Sequence, residues 1–115
     1  MYQFSYAEIQ EDDAQDARSR ERQAMQHGLD LLEIACQKGV RSMEAAKALN
    51  YVNQLWRIFM EDLANPENNL PDALRAELIS IGLWITQEVQ NMRLGKSENF
   101  EGLIEICTII RDGLK

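Results

Sequence analysis

Histidine occurs once in this chain, at His27, and cysteine twice, at Cys36 and Cys107. A structural zinc site draws on four Cys or His ligands, with pairs at short spacing such as CxxC. One histidine and two widely separated cysteines cannot build that set, so neither a metal nor any other cofactor is expected. Serine never stands in the nucleophile-elbow pattern that sets up acyl transfer. Gly95-Lys96-Ser97 resembles the end of a phosphate-binding loop. The full motif requires a glycine five places earlier, and that position is Gln90. The fragment also falls at a helix end, not between a strand and a helix.

Carboxylates gather at Glu8, Glu11, Asp12, Asp13 and Asp16, and again at Glu61, Asp62 and Glu67. A calcium loop alternates acidic ligands with a fixed glycine and a later glutamate, an order absent here. Paired carboxylates serve acid–base chemistry only when other groups position them. None accompany these, so both clusters read as solvated faces and no enzyme is expected.

Charge narrows the classes further. The chain has 115 residues, 12 Lys and Arg against 19 Asp and Glu, and a net charge of −7. Acids outnumber bases in both halves, 8 to 5 over residues 1–41 and 11 to 7 over 42–115. Binding to the phosphate backbone needs clustered bases, so DNA is excluded as a partner and direct RNA binding is disfavoured. No apolar run approaches the roughly 18 residues of a membrane span. The opening Met1-Tyr2-Gln3-Phe4-Ser5-Tyr6 lacks the basic and apolar regions of a signal peptide. The expectation is a cytoplasmic protein, with no membrane partner and with both cysteines reduced and buried as small hydrophobes.

Any site must be positioned by helices, because apolar residues recur at spacings of three and four and no stretch alternates in twos. Residues 1–11 carry Tyr2, Phe4 and Tyr6 and read as an aromatic tail on a single domain spanning 1–115. Asp12 and Asp13 favour a helix start. Its stripe is Ala17, Ala24, Met25, Leu29, Leu32, Ala35 and Cys36, and Gly39 ends it. Ser42 caps a second helix with the stripe Ala45/Ala46, Leu49, Val52, Trp56, Phe59 and Leu63. Pro66 stops that helix, and Asn69-Leu70-Pro71 starts a third. The third carries Leu74, Leu78, Ile81, Ile85, Val89 and Met92, and is apolar nearly all round from Leu78 to Ile85. Gly82 there admits a closely approaching neighbour. Gly95 ends this helix, and Ser97 or Asn99 caps a fourth bearing Phe100, Leu103, Ile104, Cys107, Ile110 and Leu114. Four helices with short loops predict an all-α antiparallel bundle.

The apolar surface exceeds what the stripes of such a bundle require. Tyr51, Leu55 and Ile58 form a second row on helix two; Ile79, Leu83 and Trp84 form one on helix three. Antiparallel neighbours could join these rows into a groove for a partner helix. Tyr6 and the tail would lie over it in the free state. The alternative is that Ile106 and Ile109 of the fourth helix fill the groove permanently.

Several of these residues also carry a family resemblance. Leu55-Trp56-Arg57, Glu61-Asp62-Leu63-Ala64, Asn69-Leu70-Pro71, Leu74-Arg75 and Leu78-Ile79-Ser80-Ile81-Gly82-Leu83-Trp84 resemble the flagellar biosynthesis regulator FlaF. The ending Phe100-Glu101-Gly102-Leu103-Ile104-Glu105-Ile106 with Ile109-Ile110-Arg111-Asp112-Gly113-Leu114 is similar to the same family. The resemblance implies a cytoplasmic factor needed for flagellin synthesis and secretion, acting alongside the translation regulator FlbT. Flagellin is the implied partner of a chaperone. A regulatory adaptor that binds FlbT and controls flagellin mRNA translation is the other role it allows. It implies no catalytic residues.

Overall fold

The computed structural model describes the backbone of residues 6–113 and the side chains of residues 18–113. Four helices follow in order: α1 Tyr6–Lys38, α2 Met43–Ala64, α3 Asp72–Arg93 and α4 Phe100–Gly113. No strand occurs among the described residues. The all-α class and the helix count match the spacing argument.

Helix α1 starts at Tyr6, ahead of the start expected at Asp12, and so takes in residues 6–11 of the expected tail. The proposed cover by Tyr2, Phe4 and Tyr6 lies outside the described side chains. The other ends follow local chemistry. Ser42 is extended, and its Oγ accepts a hydrogen bond from the Ala45 amide at 3.0 Å. That capping bond is worth about 1 kcal/mol. Asn99, not Ser97, caps α4, accepting from the Gly102 amide at 3.1 Å. Gly39 and Gly95 end α1 and α3 with φ of 99° and 75°, where a side chain would be strained.

The α2–α3 connection is knitted by its own polar groups. Asn65 Oδ1 accepts from the Glu67 amide, Asn68 Oδ1 from the Leu70 amide, and Asn68 Nδ2 donates to the Asp62 carbonyl. Arg75 reaches back to donate to the Asn65 carbonyl and pairs with Asp72.

The main helix–helix contacts are α1 with α2, α2 with α3, and α1 with α4. The principal dimensions are 54 × 32 × 19 Å, so the bundle is flattened, with α3 and α4 at its edges. One core joins Met25, Leu29 and Leu32 of α1 to Leu49, Val52 and Trp56 of α2. Ile85, Val89 and Met92 of α3 enter the same core with Phe100, Leu103 and Cys107 of α4. At 1.5 Å per residue α4 is about 21 Å long and α3 about 33 Å. Helix α4 packs on α1, so α2 is the main neighbour of α3.

The place of α3 at an edge, with α2 as its main neighbour, corrects two expectations. The middle of α3 is not buried all round: Gly82 and Ile85 are buried, Leu78, Ile79 and Ile81 are half-buried, and Leu83 and Trp84 are exposed. Leu74, assigned to the core stripe, is exposed as well. Cys36 is also exposed, whereas Cys107 is buried as expected. The packed stripe of α1 runs Met25, Leu29, Leu32, Ala35, and Cys36 lies about 100° round the helix from Ala35.

Candidate partner-binding surface

Trp56 is fully buried and stacks on Phe59 with ring centroids 5.3 Å apart and planes at 11°. Its indole Nε1 has no hydrogen-bond partner. The nearby Cys107 thiol is a weak acceptor, and burial pushes its pKa up to about 11. Across from Trp56 stands Gly82. A methyl group there would lie 2.6 Å from Met60 Sδ and 3.2 Å from Trp56 Cε3. The glycine thus permits the close α2–α3 approach that its place in the helix suggested. It fixes the rotation of α3, turning Ile85 inward and Leu83 and Trp84 outward.

The two rows expected to line one groove part company. Tyr51 faces α1: its hydroxyl donates to the Ala24 carbonyl at 2.9 Å, and its ring meets His27 edge-on at 4.9 Å. It also closes on Gly28, where a Cβ would lie 3.3 Å from the ring. Burial raises its phenol pKa. Leu55, one turn on, is half-buried and packs on the core. Only Ile58 of that row is open, at 66% exposure. On α3, Ile79 is half-buried, Leu83 is 58% exposed and Trp84 41%. Ile106 packs on the core, and Ile109 points to solvent. Tyr6 lies outside the described side chains.

What remains is a set of uncovered apolar side chains on α2, α3 and their connection. Its exposed members are Ile58, Leu70, Leu74, Leu83 and Trp84. Leu74 went unrecognised as surface because its spacing fits a core stripe, and Leu70 because it was read only as part of the helix entry. A separate shallow depression of about 400 Å³ lies between α2 and α3, lined by Asn53, Arg57, Met60, Glu61, Ala64 and Thr86. It contains none of the apolar rows.

Electrostatics add little chemistry. Glu21, midway along α1, has its carboxyl pKa raised by partial burial and by the neighbouring charge of Asp62. His27 sits on the solvent side of α1, as expected of a lone helical histidine. Among the described residues no three His, Cys, Asp or Glu side chains stand close enough to hold a metal ion. No described helix is long and apolar enough to cross a membrane.

No curated protein and no solved structure matches the chain. The model of the family described as flagellar protein FlaF matches residues 2–114, nearly the whole length. With its four short-looped helices, the chain belongs to the FlaF family of flagellar proteins.

Proposed function

We propose that this protein is a non-enzymatic, cytoplasmic flagellar biosynthesis factor that binds flagellin before export. The observation that carries the reading is the set of large apolar side chains left open on α2 and α3, with Trp84 and Leu83 at its centre. Scattered single hydrophobes need no explanation, but several on one part of a small bundle mark a surface for a partner. An amphipathic helix laid along α3 would bury them, as helix-in-groove recognition does. The surface of α3 replaces the α2–α3 groove of the sequence reading, because Tyr51 and Leu55 are committed to α1 and the core.

The test is size-exclusion chromatography with light scattering on the protein mixed with flagellin. A one-to-one complex is expected, with Leu83→Asp and Trp84→Ser each weakening it while the helical spectrum is kept. Burying the exposed part of either side chain contributes about 1–2 kcal/mol, so each affinity should fall about 5–30-fold. Absence of a complex with flagellin, together with a complex with FlbT, would replace the chaperone by the regulatory adaptor.

A further inference from the structure

The acidic balance of the chain is not uniform. Lys38 closes α1, Arg41 lies in the α1–α2 loop, Arg93 closes α3 and Lys96 lies in the α3–α4 loop. The two loops meet, sharing a depression of about 230 Å³ lined by Val40, Arg41, Gly95, Lys96, Ser97 and Glu98. Four bases therefore gather at one end of the bundle, against Glu44, Glu98 and Glu101. This end lies opposite the α2–α3 connection. The ion pairs found among the described residues, Arg75 with Asp72 and Arg111 with Asp112, leave all four bases out.

Two of the four have a structural explanation. Lys38 and Arg93 stand at helix C-termini, where the negative end of the helix dipole favours a cation. Arg41 and Lys96 stand beyond those ends, just before α2 and α4, where the positive end disfavours one. The left-handed glycines Gly39 and Gly95 set both loops in tight turns. Ser97 Oγ already accepts from the Asn99 amide at 3.1 Å, so its hydroxyl hydrogen is left to donate.

We propose that this loop end docks carboxylates of an acidic segment on a partner protein. Arg41 offers a planar fork and Lys96 a point charge to the two sides of one depression. A nucleic acid fits less well. The rest of the chain is strongly acidic and repels an extended polyanion, and the nearest aromatic, Phe100, is buried and cannot stack a base. The site is independent of the apolar surface on α3.

The experiment is a backbone-amide NMR titration of the full chain with hexaglutamate, against hexaglutamine and hexauridylate. Hexaglutamate should shift residues 40–42 and 95–98 saturably, and the effect should weaken strongly between low and high salt. Arg41→Gln/Lys96→Gln should reduce affinity by about tenfold or more with the helical spectrum retained. Equal shifts with hexaglutamine, indifference to salt, unchanged binding by the double variant, or tighter binding of hexauridylate would each overturn the proposal. Should the double variant fold poorly, the peptide comparison and the salt series on the unaltered chain decide alone.

Discussion

Replacing Gly82 by alanine sets two effects of similar size against each other. In an open helix interior the change should stabilise by about 1 kcal/mol, because glycine is the poorer helix former. Here the added methyl would stand 2.6 Å from Met60 Sδ, 2.8 Å from Met60 Cγ and 3.2 Å from Trp56 Cε3. Carbon contacts are comfortable at about 3.5–4.0 Å, so Met60 must retreat by roughly 1 Å. Its flexible thioether can do so, but the tryptophan is fully buried and has nowhere to move. Overpacking of this kind costs about 1–3 kcal/mol. Gly82→Ala is therefore expected to destabilise by about 0.5–2 kcal/mol, measured by urea titration with an unchanged slope. In a Met60→Ala background the clash is largely gone, and the same change should be neutral or stabilising. The coupling between the two sites should reach about 1–2 kcal/mol. A Gly82→Ala protein more stable than its parent by the full helix-propensity gain would refute the close α2–α3 approach, and with it the outward rotation of Leu83 and Trp84.

Other outcomes follow from burial and charge. Leu55→Asp places a carboxylate against the core and should cost about 2–4 kcal/mol, whereas Ile58→Asp on the open surface should change stability by less than about 0.5 kcal/mol; thermal melts compare them. Ile81→Ala should cost about 1–2.5 kcal/mol, below the span for a fully buried isoleucine, because Ile81 is half-buried against the core. Iodoacetamide should label Cys36 in the native protein and reach Cys107 only on unfolding, read by mass spectrometry of the peptides. The Cys107 thiol, raised from 9.0 to about 11, ionises first in the unfolded chain, so stability should fall as pH rises from about 9 to 11. Cys107→Ala should flatten that decline, with the raised phenol of Tyr51 supplying what remains.

What sequence determined by itself is the set of local structures. Helix ends are written in single residues: the Ser42 hydroxyl, the Asn99 side chain, and Gly39 and Gly95, each acting within one turn of its own position. The inward stripes of α2 and of the second half of α3 follow from a 3.6-residue period, which is a property of the backbone alone. A histidine-pair metal site was excluded on the same terms, since a chain with one histidine cannot supply a second. The start of α1 was misplaced because a helix can begin before its best cap when the preceding residues tolerate helix.

Tertiary structure alone decided which apolar rows are covered. Period marks a face as apolar and says nothing of the neighbour opposite it. Leu55 and Leu83 look equivalent in sequence, yet one packs on the core and the other points to solvent. Trp56 and Trp84 divide in the same way, one fully buried and one 41% exposed. Two nonlocal facts set the outcome. Gly82 fixes how α3 turns against α2, and α4 packs on α1 and so leaves the outer faces of α3 open. The meeting of Arg41 with Lys96 is of the same kind, because two loops more than fifty residues apart come together only when the helices between them pack antiparallel.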